Sequence, residues 1–182
     1  MKKLVLVFAF AAFVATGFSQ KQTVMVGGEA MYPKKDIVSN AVNSADHTTL
    51  VAAVKAAGLV ETLQGDGPFT VLAPVNDAFE NLPDGTVASL LKPEAKSKLT
   101  AVLTYHVLAG NYDFDDIATA IKKGGGKATM KTVQGATLTF AMNGKHNIVV
   151  MDGSGNTANI TTYDVNQSNG VIHVIDTVLL PS

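Results

Sequence analysis

The chain has no cysteine and no arginine among its 182 residues. Without cysteine there is neither a disulfide framework nor a thiol nucleophile, so core packing alone must hold the fold together. Without arginine, and with no cluster of lysines, there is no basic stripe or guanidinium fork to bind phosphate backbones. These absences exclude a disulfide-rich scaffold and argue against nucleic acid as a partner.

The first 20 residues have the three-part pattern of a secretory signal peptide. Lys2 and Lys3 form a basic start, residues 4–15 are apolar, and small or polar residues place the cleavage site near Ser19 or Gln20. Twelve apolar residues are too few to cross a bilayer comfortably, where about 20 are needed. A retained membrane anchor is therefore the less favoured alternative. We expect an exported protein with no integral membrane segment after cleavage, carrying 12 of the 14 lysines against 15 acidic residues.

The remaining chain is predicted to form one domain over residues 36–182, preceded by an extended, partly mobile lead-in at residues 21–35, where no periodicity is clear. Helical patterns dominate the first half, with an apolar stripe at Ala95, Leu99, Val102 and Leu103. One early strand is expected at residues 68–74. Segments rich in valine, isoleucine and threonine follow residue 126, separated by glycine turns that favour hairpins. This order predicts an α+β fold.

Three segments partly resemble binding or catalytic motifs, but each lacks a residue that its motif requires. The "GGGK" segment has Ile121 and Ala128 where a phosphate-binding loop needs glycine and serine or threonine. The "DGSGN" segment beginning at Asp152 has Thr157 where a calcium loop needs glycine, so a β-turn is the better interpretation. No serine lies in a Gly-x-Ser-x-Gly elbow.

The four histidines, at positions 47, 106, 146 and 173, show no metal-ligand spacing. His106 and His173 each lie within an apolar run, which is typical of a buried, hydrogen-bonded histidine rather than a catalytic one. The adjacent pair Asp115–Asp116 would point about 100° apart on a helix and cannot form an acid–base couple. We therefore predict no enzyme activity, no cofactor and no metal site.

Three blocks resemble the fasciclin-type domain family of secreted and cell-surface adhesion proteins. They are "FTVLAPVNDAF" at residues 69–79, "LTYHVLAG" at 103–110 and "NGVIHVIDTVLLP" at 169–181. The resemblance covers residues 36–181. It implies a wedge-shaped β-sandwich with a cap of α-helices, and it places the strands of the first and last blocks near each other in the core.

The same resemblance assigns structural roles to individual residues. Tyr105 and His106 match the family's Tyr-His motif, which braces the first block by hydrogen bonding and packing. Asn76 and Asp77 are expected polar partners of this pair, and Asn76 also has the chemistry of an N-cap for the helix that follows it. His173 completes the set of expected structural residues.

The resemblance also implies a function. We expect a non-catalytic binding module, secreted, periplasmic or associated with the cell surface, that contacts a cell-surface protein, matrix or polysaccharide. An alternative is an envelope or biofilm structural protein that acts through weak self-association. The sequence does not identify the ligand.

Overall fold

The computed structural model describes residues 22–181, so the predicted signal peptide lies outside it. The helices in this part of the chain are α1 (Ile37–Ala41), α2 (Thr48–Ala57), α3 (Val60–Gln64), α4 (Asn76–Glu80), α5 (Thr86–Leu90), α6 (Lys96–Tyr105) and α7 (Phe114–Lys123). Short 3-10 turns at Ala45–His47 and Pro93–Ala95 lead into α2 and α6. Across residues 22–181, every helix is too short or too polar to span a membrane.

The strands are β1 (Val24–Val26), β2 (Glu29–Met31), β3 (Phe69–Pro74), β4 (Val107–Ala109), β5 (Lys127–Lys131), β6 (Thr137–Asn143), β7 (Asn147–Met151), β8 (Thr157–Gln167) and β9 (Gly170–Ile175). Strands β3–β9 form a seven-stranded arrangement in the order β4-β3-β9-β8-β7-β6-β5. The predicted glycine turns at Gly135, Gly144 and Gly153 each join antiparallel neighbours. The α+β prediction is confirmed.

Strand β8 divides this arrangement into the two halves of a wedge. Its residues 157–159 pair with β7, and its residues 160–167 pair with β9. Register shifts on either side of Thr162 mark bulges that bend the strand between the two halves. A single bridge between Leu108 and Thr132 brings β4 next to β5 and nearly closes the sheet.

Strands β3 and β9 form the centre of the fold. They run parallel with Phe69 opposite Gly170 and Pro74 opposite Ile175, which confirms that the first and last blocks lie together. Every residue of β9 is buried, as expected for a strand covered on both faces. Alternate side chains of β3 enter different cores: Val71 packs under the helices, and Leu72 packs between the two halves of the wedge.

The lead-in is more ordered than the sequence predicted. Residues 24–31 form an antiparallel hairpin with Val24 opposite Met31, and the side chains of Val26 and Met31 are buried in the core under the helices. The two strands are extended, as predicted, but they pair as a hairpin that the sequence did not indicate; the partial mobility of the segment stays a prediction. Strands of three residues are too short to show a period of two, which is why the pattern carried no signal.

Candidate functional site

The Tyr-His motif lies where α6 ends and β4 begins. Tyr105 is the last residue of α6, and His106 follows it with 3% of its surface exposed. The two rings meet edge to face, with centroids 6.5 Å apart. Leu99, Val102 and Leu103 on the same helix are buried, as the apolar stripe predicted, and they fix the helix end against the core.

Both nitrogens of the His106 ring are engaged with the backbone. Nδ1 lies 2.8 Å from the Val102 carbonyl oxygen, and Nε2 lies 3.0 Å from the Leu179 amide nitrogen. Because a carbonyl only accepts and an amide only donates, the ring is neutral with its proton on Nδ1. Burial lowers the pKa of His106 to about 4, against smaller opposing effects from the Val102 carbonyl and Asp152.

The backbone of His106 braces the first block directly. Its carbonyl oxygen accepts a hydrogen bond of 2.9 Å from the Leu72 amide in β3. The residue therefore joins three parts of the chain: the last turn of α6, the first block and the segment after β9. We propose that this bracing is the role of the motif in the protein, as the resemblance implied.

The Tyr105 hydroxyl makes a second set of links on the other side of the motif. It donates to the Thr137 carbonyl at 3.1 Å and accepts from the Gly153 amide at 3.1 Å. Burial raises the pKa of Tyr105, with a further increase from the charge of Asp152. The neutral phenol is therefore the form that holds β6 to the turn between β7 and β8.

That turn is organised by Asp152, whose carboxylate accepts four hydrogen bonds. Its Oδ1 accepts from the Ser154 and Asn156 amides, and its Oδ2 accepts from the Asn156 side chain and the Leu180 amide, at 2.8–3.1 Å. Burial alone would raise the pKa of Asp152, but these hydrogen bonds outweigh it and lower the pKa. The segment is a β-turn whose carboxylate is occupied by protein donors.

Asn76 does not have either role that the sequence suggested. It is the first residue of α4 rather than its N-cap. Its Oδ1 accepts from the Thr49 amide at 3.1 Å and from the Thr48 hydroxyl at 3.2 Å, while its Nδ2 donates to the Ala45 carbonyl at 2.8 Å. Asn76 therefore caps the first turn of α2, a different helix.

The expected partnership of Asn76 and Asp77 with the Tyr-His motif is also wrong. The hydrogen-bonding atoms of Tyr105 and His106 are taken by backbone groups elsewhere. Asp77 is exposed in the first turn of α4, where its charge favours the positive end of the helix. The first block and the motif meet through backbone atoms instead.

His173 occupies a second buried position, on β9. Its Nε2 donates to the Tyr112 carbonyl at 2.9 Å, and its Nδ1 accepts from the Asp164 amide at 3.3 Å. Asp164 has φ of +55° and lies at the irregularity of β8 between Thr162 and Val165. Burial lowers the pKa of His173. His106 and His173 therefore form separate hydrogen-bonding centres and do not come together.

The other two histidines differ from each other. His146 is exposed in the turn between β6 and β7. His47 is 3% exposed; its Nδ1 lies 2.9 Å from the Ser44 hydroxyl, while its Nε2 has no hydrogen-bond partner among the described protein atoms. Burial lowers the pKa of His47.

A buried amide network holds the hairpin and α1 to the rest of the fold, and the sequence carried little sign of it. Asn169 accepts from the Ile37 amide at 3.1 Å and donates to the Leu63 and Gly65 carbonyls at 2.8 Å. The Asn40 side chain bonds to Gln167 and to both backbone groups of Tyr32. The one signal in the sequence was the presence of asparagine and glutamine beside apolar strands.

Within residues 22–181, a serine hydroxyl meets a histidine ring at Ser44 and His47, where both side chains are buried. Serine and carboxylate groups do not join His106 or His173 in a nucleophile–base pair, because both rings are neutral and saturated by backbone atoms. Within residues 22–181, no three acidic or histidine side chains come together as metal ligands do. What the motif residues do in this geometry is fix distant segments of the chain to one another.

Comparison with known proteins identifies the family. The family model of the fasciclin domain matches residues 45–181. Protein sll1483 of Synechocystis is 44% identical over 162 residues, covering 88% of this chain and 82% of that protein. The cell surface glycolipoprotein MPB83 of Mycobacterium bovis is 35% identical, covering 86% of this chain and 64% of that protein.

Two further matches are to animal proteins, one by sequence and one by structure. The transforming growth factor-beta-induced protein ig-h3 of Sus scrofa is 37% identical over 134 residues, covering 73% of this chain and 17% of that protein. A solved FAS1 domain pair from the insect cell adhesion molecule Fasciclin I has a TM-score of 0.70 at 18% identity, covering 80% of this chain and 51% of that chain. Together with the bracing geometry of Tyr105 and His106, these matches show that the chain belongs to the fasciclin domain family.

Proposed function

We propose that the protein is an exported, non-catalytic adhesion module that binds a cell-surface protein or a polysaccharide through its exterior. One observation best supports this function. Backbone groups occupy the Tyr105 hydroxyl and both ring nitrogens of His106, so these atoms are not free to bind a substrate. The name of one relative, the cell surface glycolipoprotein MPB83, supports the same class of function.

The binding surface that we favour is formed by the hairpin and α1, which we call the N-terminal unit (residues 24–42). It carries three exposed large hydrophobic side chains: Met25 at 62%, Tyr32 at 47% and Val42 at 46% exposure. The Tyr32 ring also lies beneath the Lys35 ammonium group, 5.2 Å from its centroid. Exposed apolar and aromatic side chains are enriched where proteins bind partners, which is why we favour this surface.

A binding assay with matched variants tests this proposal. Purified protein is applied to whole cells of the source organism and to arrayed polysaccharides, beside Tyr32→Ser and, as a control, Leu91→Ser on α5. We expect Tyr32→Ser to weaken binding about fivefold or more while leaving the melting temperature unchanged, and Leu91→Ser to bind as the unaltered protein does. Binding to neither cells nor polysaccharides, or equal loss in both variants, would contradict the proposal.

Export is tested separately by intact mass. The protein recovered outside the cytoplasm should begin near Gln20 or Lys21, because the basic start and short apolar region favour cleavage there. Recovery of a full-length species in the membrane fraction would show that the segment is a retained anchor.

Self-association is a second candidate, favoured by the exposed apolar side chains. They lie at Met25, Tyr32, Val42, Leu91 and Val133. A protein that assembles through them would show a mass by light scattering that rises with concentration and falls in Tyr32→Ser. A constant monomer mass would leave adhesion to a different molecule as the function.

A further inference from the structure

The chain contains two asparagine–glycine pairs, Asn143–Gly144 and Asn169–Gly170. Such a pair is chemically reactive, because the glycine amide nitrogen can attack the side-chain carbonyl carbon of the asparagine and no Cβ hinders its approach. Both pairs lie at hairpin turns, the first between β6 and β7 and the second between β8 and β9. The sequence does not distinguish the two pairs, whereas their surroundings in the fold differ.

The first pair lies in an exposed turn. All five residues from Asn143 to Asn147 are exposed to solvent. Within residues 22–181, the side-chain amide of Asn143 is not hydrogen-bonded, and the Gly144 amide nitrogen donates no hydrogen bond to another backbone group. Gly144 has φ of +80°, and the space that a Cβ would occupy is empty. Both reacting groups are therefore open to water.

The second pair is held from all sides. Asn169 is 7% exposed, and its side-chain amide makes three hydrogen bonds of 2.8–3.1 Å with backbone groups at the start of α1 and the end of α3. Gly170 is opposite Gln167 in the ladder between β8 and β9. A Cβ on Gly170 would overlap the carbonyl oxygen of Phe69 in the neighbouring parallel strand. Neither reacting group of this pair can move without breaking the centre of the fold.

The cost of local opening separates the pairs further. The attack needs the glycine nitrogen against the asparagine side-chain carbon, and the extended backbone of a paired strand keeps these atoms apart. Asn143 and Asn147 form the last pair of the β6–β7 hairpin, and such end pairs fray at little cost in free energy. Opening at Asn169 would release α1 and part β8 from β9, so its cost approaches that of global unfolding.

We propose that Asn143 is a site of spontaneous deamidation, with water as the co-reactant. The Gly144 amide nitrogen loses its proton and forms a bond to Cγ of Asn143, and the side-chain nitrogen leaves as ammonia. Water then opens the cyclic imide. Cleavage of the bond from nitrogen to Cγ gives aspartate, and cleavage of the bond from nitrogen to the main-chain carbonyl carbon gives isoaspartate. No oxidant or reductant takes part.

The reaction changes the tip of the hairpin in two ways. Either product replaces a neutral amide by a carboxylate, which adds one negative charge beside Lys145 and His146. Isoaspartate also lengthens the backbone by one methylene group at the position that pairs with Asn147, so the last pair of the ladder is lost. The site lies outside the N-terminal unit, and the reaction does not depend on what that surface binds.

Incubation of the folded protein at mildly alkaline pH tests the proposal. Anion exchange separates the more acidic product, and mass spectrometry of proteolytic peptides locates the modified residue. We expect Asn143 to be converted at least about a hundredfold faster than Asn169 in the folded protein. In urea the two rates should become similar, because the protection of Asn169 comes from the fold. Equal rates in the folded protein, or conversion of Asn143 only in urea, would overturn the proposal.

Two variants in the same turn assign the acidic product to one residue. Asn143→Gln should abolish it, because glutamine would have to close a larger and less favourable ring. Asn147→Gln is the matched control: Asn147 is equally exposed, but the β-branched Ile148 follows it and hinders attack by the next amide nitrogen. Both changes are at the surface and should leave the melting temperature unchanged. An acidic product formed at the same rate in Asn143→Gln, or lost in Asn147→Gln, would refute the assignment.

Discussion

The Nε2 atom of His106 accepts a hydrogen bond of 3.0 Å from the backbone amide of Leu179, 73 positions further along the chain. The opposite nitrogen of the same ring bonds to Val102, one helical turn away. One side chain therefore joins the end of α6 to the segment that follows β9. Protonation of Nε2 would remove the acceptor, so this link exists only with the neutral ring.

His106→Ala is expected to lower the free energy of unfolding by about 2–6 kcal/mol. The Leu179 amide loses its acceptor, which costs about 1–3 kcal/mol, and the missing ring leaves a cavity with a cost of similar order. The free energy of unfolding of His106→Gln should lie between those of the unaltered protein and His106→Ala, since glutamine can keep one of the two hydrogen bonds. Urea denaturation of the three proteins measures these differences.

The matched control is His146→Ala at an exposed turn, where a change within about 0.5 kcal/mol is expected. Equal effects at positions 106 and 146 would show that the hydrogen bond to Leu179 does not stabilise the fold.

Stability is expected to fall as the pH is lowered from 7 to 5. The pKa of His106 is about 4 in the folded protein, below the ordinary histidine value of 6.5. The unfolded chain therefore binds the proton first. The stabilisation by neutral His106 is fully present above the unfolded pKa and is lost as pH falls towards the folded pKa. For this one residue the loss between pH 7 and pH 5 is about 2 kcal/mol.

Urea denaturation of His106→Gln at both pH values isolates this contribution. The variant should be less stable at pH 7 but lose about 2 kcal/mol less than the unaltered protein on going to pH 5. His47 and His173, whose pKa values are also lowered by burial, continue to contribute in both proteins. If both proteins lost the same stability between pH 7 and pH 5, the pKa of His106 would not differ between the folded and unfolded states, and this expectation would be wrong.

Tyr105→Phe is expected to cost about 1–3 kcal/mol, because the Gly153 amide and the Thr137 carbonyl lose the hydroxyl that links them. Amide exchange at Gly153 should accelerate together with the loss of stability. Tyr112→Phe is the control, since the Tyr112 hydroxyl forms no hydrogen bond with any group in residues 22–181. A loss of the same size at Tyr112 would show that the two hydrogen bonds of the Tyr105 hydroxyl are not the cause.

Asn76→Ala is expected to destabilise the protein by about 0.5–2 kcal/mol through the start of α2, where Asn76 accepts from the Thr49 amide. Asn76→Asp keeps that acceptor but places a carboxylate oxygen against the Ala45 carbonyl, so it should protect the Thr49 amide without restoring the full stability. Amide exchange at Thr49 locates the change. Faster exchange confined to α4 would instead restore the local N-cap interpretation.

Calcium is expected to leave the melting temperature unchanged. The Asp152 carboxylate already accepts four hydrogen bonds from protein donors, and a calcium ion would have to displace them. Differential scanning calorimetry with calcium chloride and with a chelator provides the measurement. A rise of many degrees with calcium would contradict this expectation and show that the folded protein binds the ion.

The elements of the fold were largely predictable because their signals are local. The apolar stripe of α6 was predicted from its spacing, and the hairpin turn at Gly144 from the Asn-Gly pair that it forms with the residue before it. Burial of His106 and His173 followed from the apolar runs around them. The pairing of the first and last blocks required the resemblance to a family, since parallel neighbours on β3 and β9, such as Phe69 and Gly170, share no local pattern.

The sequence by itself determined the apolar face of α6, the turns between the later strands, and that the histidines lack the spacing of a catalytic or metal centre. Periodicity and propensity depend on a few neighbouring residues, so these properties do not require the tertiary structure. Only the tertiary structure decided which atoms meet. It joined His106 to Leu179 and Asn76 to α2, folded the lead-in into a hairpin, and left His47 Nε2 without a partner among the described atoms. A hydrogen bond forms only between atoms about 3 Å apart. Packing decides which distant segments come that close, and a local sequence pattern carries no information on it.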